Sequence, residues 1–260
     1  MHANPVSVSV IAIDGPSASG KGTVAQLVAE RLGFHYLDSG AIYRAAAYAA
    51  QQAGIDLAHA PALEEEIAAV AGAMELRFAG GQILLANQDV SPQLRTEECG
   101  REASKIAALP AVRAALLQRQ RDFRQLPGLV ADGRDMGSVV FPDAALKVFL
   151  TAGVEERARR RAVQLVAAAR PGDPKGLIGK ENSGNIDALF VTVLADLRAR
   201  DERDSKRAVA PLAQLQDARL LDTSGLSIQQ AVQQVLAWAR EVQSGEARSG
   251  NPQNAALHSG

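Results

Sequence analysis

Short apolar runs alternate with amphipathic segments along most of the chain. The run from Val6 to Ile13 is rich in β-branched residues, which is typical of a buried strand. Val24 to Gly33 then repeats apolar positions at helical spacing and ends on a glycine suited to a helix C-cap. Four more apolar runs predict further buried strands, at residues 34–38, 129–132, 146–150 and 219–222. Strands that alternate with helices favour an α/β fold with one parallel sheet of these five strands.

The period of the pattern changes after the second strand. Residues 41–54 and about 63–73 predict helices, whereas Met74 to Ser91 alternates like short antiparallel strands around the pair Gly80-Gly81. Glu97 to Arg124 is helical again. A small β segment among helices predicts an inserted subdomain.

The composition argues against several classes of protein. The 260 residues suffice for one large α/β domain with an insertion. No apolar run approaches the ~18 residues of a membrane span, and the N-terminus lacks the pattern of a secretion signal. One cysteine allows no intramolecular disulfide, and a net charge of −1 argues against a general nucleic-acid binder. We therefore expect a cytoplasmic protein without a membrane or nucleic-acid partner.

The stretch from Ile11 to Thr23, IAIDGPSASGKGT, lies between the first predicted strand and the first predicted helix. It approaches the phosphate-loop pattern G-x-x-x-x-G-K-[ST], but Gly22 follows the lysine and the hydroxyl comes one residue later. Glycines let the backbone N–H groups turn inward, and the helix adds its positive end. A glycine-rich turn that only begins a helix is the alternative. The predicted phosphate-binding residues are Gly15, Pro16, Ser17, Ala18, Ser19, Gly20, Lys21, Gly22 and Thr23.

Polar residues also follow two other predicted strands. Ser39 and Arg44 come after the second strand, and Asp132, Arg134 and Asp135 come after the third. Ligands of an open parallel sheet lie beyond the carboxyl ends of its strands, and arginine forks well onto phosphate. A helix cap by Ser39, a solvated Arg44 and an internal salt bridge among the other three are the alternatives.

Two helical segments are rich in arginine. One places three arginines on a common face: Arg157, Arg160 and Arg161. The other places charged residues on neighbouring turns: Arg200, Arg203, Asp204 and Arg207. Together with a phosphate loop they favour a polyphosphate clamp, and solvated salt-bridge helices are the alternative. Since no His/Cys/Asp cluster has metal-ligand spacing, any metal is expected to arrive with a nucleotide.

From about Val8 to about Glu241 the chain resembles the bacterial cytidylate kinases. The blocks GRDMGSVVFPDA and RDSKRAVAPL carry the most specific likeness, beside IDGPSASGKGT and LDSGAIYRA. The resemblance implies the P-loop nucleoside monophosphate kinase fold, with a five-stranded parallel sheet, a small β-containing monophosphate-binding insertion and a helical lid. It also implies transfer of the γ-phosphoryl group of ATP to CMP or dCMP, with Mg²⁺ carried by the nucleotide.

The resemblance also implies residue roles. The CMP phosphate would be contacted by Ser39, Arg44, Arg134 and Arg207, and the sugar by Arg200 and Asp204. Cytosine would be read by Ser104, Arg113 and Asp135, because its exocyclic amino group donates to a carboxylate. The transferring phosphoryl group would be met by Lys21 of the phosphate loop and by lid residues Arg157, Arg160 and Arg161. We assign Asp132 to ordering the Mg²⁺ shell.

On this basis we divide the chain into segments. The core comprises 1–62, 104–152 and 208–243, the insertion 63–103, and the lid with its arginine-rich helices 153–207. We expect the tail, 244–260, to be disordered, and residues 167–185 look longer than the family's usual lid connection. We expect a monomer. A kinase for another acceptor, such as UMP or shikimate, and a nucleotide-binding switch remain the alternatives.

Overall fold

A five-stranded parallel sheet forms the centre of the chain in the computed structural model, which describes residues 8–79, 81–169 and 180–244. The strands are β1 (Ser9–Asp14), β2 (His35–Asp38), β3 (Leu76–Ala79), β4 (Gln82–Leu85), β5 (Gln88–Asp89), β6 (Gly128–Gly133), β7 (Leu146–Thr151) and β8 (Arg219–Asp222). The helices are α1 (Lys21–Leu32), α2 (Ser39–Gln52), α3 (Glu64–Ala73), α4 (Ser91–Leu94), α5 (Glu97–Ile106), α6 (Pro110–Arg121), α7 (Val154–Ala169), α8 (Lys180–Ser205) and α9 (Ile228–Ser244).

The central sheet has the order β2-β6-β1-β7-β8, and each adjacent pair is parallel. All five strands predicted from apolar runs are therefore confirmed as one parallel sheet. β1 extends to Asp14, one residue beyond the apolar run. The carboxyl ends of β1, β2 and β6 are in register, because Asp38 pairs with Asp132 and Ile13 pairs with Asp132. This edge of the sheet collects the predicted site residues.

Apolar layers cover both faces of the sheet, as a parallel sheet requires. On one face, helices α2, α3, α5 and α6 contribute fully buried residues such as Ile42, Ile67 and Leu116. On the other face, α1 and α9 contribute Val28 and Val235. Burial on both faces explains why the central strands β1 and β6 contain continuous apolar runs rather than alternating patterns.

The antiparallel strands predicted between Met74 and Ser91 are confirmed as a three-stranded sheet, β3-β4-β5. The helical pattern predicted over residues 97–124 is confirmed and forms two helices, α5 and α6. Leu109, with ψ 120°, separates them in extended conformation. The following Pro110 disfavours a helical conformation at Leu109 and then begins α6, where no N–H partner is needed.

Helices α7 and α8 form the predicted lid region and pack together around Ala158, Val193 and Leu197. Residues 170–179 lie outside the described part of the chain, so our expectation for the connection 167–185 is not addressed. The same holds for the tail beyond Ser244. No helix among the described residues is both long and apolar enough to cross a membrane.

Candidate active site

The loop between β1 and α1 has the strand–loop–helix setting of a phosphate loop. Gly15 lies against β7: a Cβ placed there would be 1.9 Å from the Leu150 carbonyl oxygen, so only glycine fits. Gly20 caps α1 with φ 90°, a left-handed conformation that glycine adopts without strain. The Ser19 hydroxyl donates to the Pro16 carbonyl oxygen at 3.0 Å and closes the loop on itself. These contacts fix the loop and the start of α1 at the carboxyl edge of the sheet.

Gly22 leaves space that the protein itself does not need. A Cβ at Gly22 would lie 3.6 Å from the Tyr36 hydroxyl oxygen and 3.7 Å from Asp132 Oδ2, both ordinary contact distances. An alanine at this position would therefore meet no steric clash with the protein. This is compatible with our expectation that the offset glycine gives room to a second phosphate-bearing ligand.

Lys21 and Asp132 are buried, and their charges interact with each other. Burial, followed by the nearby Arg134 charge, lowers the pKa of Lys21 to about 7, although Asp132 opposes the shift. Burial and the neighbouring Asp38 raise the pKa of Asp132 to about 6, although Lys21 and a 2.9 Å hydrogen bond from the Tyr36 hydroxyl oppose it. Burial destabilises the charged form of each group, because little water solvates it. A charged ligand bound here would therefore interact strongly with both side chains.

Asp14 is a structural anchor of the site that our residue assignments missed. Its carboxylate accepts from the backbone N–H groups of Met136 and Gly137, at 2.8 Å each, and so fixes the turn that follows Asp135. Burial outweighs these two bonds and raises its pKa to about 7. The sequence signal that could have identified Asp14 is its place as an acidic residue at the end of an apolar strand.

Arg113 and Asp135, two of the three predicted cytosine-reading residues, form a buried ion pair. Arg113 also donates to the Ala107 carbonyl oxygen at 3.3 Å, which fixes its guanidinium. The third residue, Ser104 on α5, is only 2% exposed. Arg113 comes from α6 and Asp135 from the turn after β6, so the pair joins two elements.

At the start of α2, the alternative interpretation of Ser39 as a helix cap is wrong. Asp38, not Ser39, caps the helix by accepting from the Ala41 N–H at 2.9 Å, and it also pairs with Arg44 at 2.7 Å. The Ser39 hydroxyl instead donates to Gln120 Oε1 at 2.8 Å. Asp38 caps the helix because its carboxylate reaches both the Ala41 N–H group and the Arg44 guanidinium. Gln120, buried within α6, carries no signal of this role in the sequence.

Asp204 lies at the centre of the arginine cluster on α8. It is fully buried, and its two oxygens accept from Arg134 Nε at 2.7 Å and from Arg207 Nη2. Burial tends to raise the pKa of Asp204, but the Arg134 and Arg207 charges outweigh it and hold the pKa below its usual value. Burial and the Arg134 charge lower the pKa of Arg200. Three predicted acceptor-site residues, Arg134, Arg200 and Arg207, thus lie close to the Asp204 carboxylate.

Arg157 of α7 is buried against the phosphate loop. It pairs with Asp201 at 2.6 Å and donates through Nη1 to the Ser17 carbonyl oxygen at 3.1 Å. Asp201 was missed as its partner. This contact ties the lid region to the loop between β1 and α1.

The other two arginines of the predicted face diverge in this structure. Arg160 donates to the Thr223 carbonyl oxygen at 2.7 Å, in the loop after β8. Arg161 forms an ion pair with Glu97 at the start of α5. Both arginines therefore have acidic partners, since Arg160 also pairs with Glu156. Contact of either with a transferring phosphoryl group stays a prediction.

Buried polar atoms without a partner concentrate on the predicted acceptor-site residues. Within the described part of the chain these atoms are Glu102 Oε2, Ser104 Oγ, Arg113 Nε, Arg200 Nε and Arg207 Nε. Four of the five belong to residues that we had assigned to CMP. Folded proteins rarely leave such atoms unpaired, because each costs about 1–3 kcal/mol. A polar ligand would provide the missing partners.

The carboxyl ends of β1, β2 and β6 thus lie next to the phosphate loop, and Arg134 and Arg157 connect that loop to α8 and α7. Over the described residues, no group of three or more His, Cys, Asp or Glu side chains could hold a metal on its own.

Comparison with known proteins gives a consistent result. The sequence model of the family described as cytidylate kinase matches residues 11–241. The chain is 53% identical to the cytidylate kinase of Nitrosomonas eutropha, over 88% of this chain and 93% of that protein. It is 55% identical to the cytidylate kinase of Chromobacterium violaceum, over 92% of this chain and 98% of that protein. The chain belongs to the cytidylate kinase family.

Proposed function

We propose that this chain transfers the γ-phosphoryl group of ATP to CMP or dCMP, giving ADP and CDP or dCDP, with Mg²⁺ bound along with the nucleotide. The family supplies the reaction, and one observation carries the assignment of the acceptor site. The partnerless buried atoms of Ser104, Arg113, Arg200 and Arg207 are the atoms that a bound nucleotide would satisfy. They lie on residues to which the family resemblance assigns contacts with the base, the sugar and the phosphate.

The chemistry needs charge and positioning rather than a base. The attacking group of CMP is already a phosphate oxygen, so no proton has to be removed from it. Phosphoryl transfer is accelerated mainly by aligned groups that neutralise the moving charge. Lys21 and Arg157 converge on the phosphate loop, the first from α1 and the second from α7. We assign them to the transferring phosphoryl group, with Arg160 and Arg161 joining from the lid.

The oxygen donors near Lys21 fit Mg²⁺. The Asp132 carboxylate is buried at the end of β6, and the exposed Thr23 hydroxyl lies in the first turn of α1. Mg²⁺ favours oxygen ligands and usually keeps several waters beside nucleotide phosphates. When bound it would neutralise phosphate charge. Asp132 would orient that shell, and Tyr36 would hold the Asp132 carboxylate in place through its 2.9 Å hydrogen bond.

Recognition of cytosine rests on the pair of Arg113 and Asp135. Cytosine offers an amino donor at N4, which a carboxylate oxygen of Asp135 can accept. Uracil offers a carbonyl oxygen at the same place, and two facing acceptors in a dry pocket cost about 1–3 kcal/mol. We therefore expect CMP to be preferred to UMP.

Binding of ATP is expected to draw a proton onto Lys21. In the free chain, burial lowers the pKa of Lys21 to about 7 from 10.5, so the side chain is mostly neutral in the window between those values. The phosphates of ATP favour the charged form, which raises the pKa again. Proton uptake should therefore accompany ATP binding at roughly pH 8.5, and vanish below the lowered pKa.

Calorimetric titration in two buffers of different ionisation enthalpy measures this uptake. The variant Lys21→Met provides the control and should bind ATP analogue without the buffer-dependent heat. Equal heats in both buffers for the natural chain would show that Lys21 is already charged.

Acceptor-dependent ADP formation tests the proposed function itself. With ATP, Mg²⁺ and CMP, the expected products are ADP and CDP in equal amounts. ATP binding with no CDP formed would instead support a nucleotide-binding switch.

A further inference from the structure

Ser17 is the point at which the phosphate loop meets the acceptor arginines. Its hydroxyl accepts a hydrogen bond from Arg134 Nη2 at 2.6 Å, and its carbonyl oxygen accepts one from Arg157 Nη1 at 3.1 Å. The residue itself is buried, with 8% of its surface exposed. A residue of the loop assigned to ATP thus holds an arginine assigned to CMP.

Arg134 is held at three places. Its Nε donates to Asp204 at 2.7 Å, its Nη1 donates to the Gly133 carbonyl oxygen at 3.1 Å, and its Nη2 donates to Ser17. A guanidinium has five N–H donors, so these three bonds leave one on each terminal nitrogen. Two N–H groups on the terminal nitrogens are the pair with which arginine forks onto phosphate.

The Ser17 bond is the one that keeps this fork in place. Asp204, which also binds Arg207, holds Nε, and the Gly133 carbonyl oxygen holds Nη1, so neither of them holds Nη2. Without the Ser17 hydroxyl, Nη2 loses its only partner among the described residues and the side chain can turn toward Asp204. The phosphate-binding pair would turn with it.

We propose that Ser17 is a positioning residue for the acceptor nucleotide, which acts on CMP through Arg134 although it belongs to the ATP-binding loop. The inference rests on the proposed function, because it takes CMP as the acceptor. Loss of the hydroxyl should therefore weaken CMP far more than ATP, a result opposite to the one that its place in the loop suggests.

The variant Ser17→Ala tests this by steady-state kinetics with each substrate varied in turn. A hydrogen bond to a charged group is worth enough to change KM for CMP by about 10-fold or more. We expect KM for ATP to change by less than about twofold, and Ser17→Thr, which keeps the hydroxyl, to restore KM for CMP.

Ser19→Ala is the matched contrast. It removes a hydroxyl from the same loop, but that hydroxyl bonds within the loop, to Pro16. Its effect should therefore fall on ATP. Equal increases in both KM values for Ser17→Ala, or the same pattern in both variants, would overturn the proposal.

Equilibrium binding adds a readout that does not depend on turnover. Calorimetry should show weaker CMP binding to Ser17→Ala and unchanged binding of a non-hydrolysable ATP analogue.

A double variant tests whether Ser17 acts through Arg134. With Arg134→Lys already present, Ser17→Ala should add little further loss of CMP affinity, because both changes act on one contact. Full additivity would overturn the proposal. If the natural chain turns over CMP but Ser17→Ala binds it normally, only this inference fails; if the natural chain does not use CMP, the proposed function fails.

Discussion

Replacement of Lys21 by methionine is expected to lower kcat by about 10²- to 10³-fold, the typical cost of removing one preorganised charge from the reacting group. The ammonium group lies at the start of α1, beside the Pro16 carbonyl oxygen at 3.4 Å, where the outer phosphates of ATP would lie. Steady-state kinetics with saturating ATP and CMP measures the loss. Because charge develops during transfer, kcat should fall more than KM rises.

Stability separates this catalytic effect from a structural one. The lowered pKa of Lys21 means that its charge is poorly solvated in the folded chain, so an apolar side chain of similar length should not lower Tm. Lys206→Met is the matched control, since this lysine is 74% exposed and pairs with Glu202 on the surface of α8. It should leave kcat unchanged. A Lys21→Met variant with near-normal kcat would contradict the assignment.

Replacement of Asp135 by asparagine is expected to remove the preference for CMP over UMP. The carboxylate can only accept, whereas the amide can turn its NH₂ group toward the O4 carbonyl of uracil. We expect kcat/KM for CMP to fall by about 5- to 150-fold, the equivalent of about 1–3 kcal/mol, with a smaller change for UMP. The ratio of the two values is the measurement.

The same variant has a cost in stability, because Arg113 then lacks its anionic partner. Breaking a buried ion pair costs about 3–5 kcal/mol when one side is removed, and asparagine should lose less because it still accepts a hydrogen bond. Asp143→Asn is the control: its pair with Arg124 lies at the surface, with the Asp143 side chain 63% exposed. That variant should keep both Tm and the CMP-to-UMP ratio. An unchanged ratio in Asp135→Asn would remove Asp135 as the discriminator.

The fold could be predicted well because its signals are local. The central strands β1 and β6 contain apolar runs that are buried on both faces, and Gly20 and Gly33 mark the two ends of α1. The convergence of Lys21 and Asp132 followed from strand ends alone, since parallel strands present their carboxyl ends at one edge. Pro110 was a local signal for the break between α5 and α6. The break was not predicted because the apolar positions keep helical spacing on both sides of it.

The pairing of individual side chains could not be predicted in the same way. Asp38 rather than Ser39 caps α2 because Arg44 lies within reach of the same carboxylate, which depends on the folded helix start. Ser17 and Arg134 are 117 positions apart, and Ser39 and Gln120 are 81 apart. Such contacts join elements that only the sheet order brings together, so no periodicity or spacing within one sequence reports them.

The most direct test of the account is ADP release with fixed ATP and Mg²⁺, when CMP, dCMP, UMP and AMP are offered separately. The account predicts fast turnover with CMP and dCMP and little with UMP or AMP. Such a result supports phosphoryl transfer and cytosine recognition together. Turnover that favours UMP would contradict the role of Asp135, and no turnover with any acceptor while ATP still binds would contradict the proposed function.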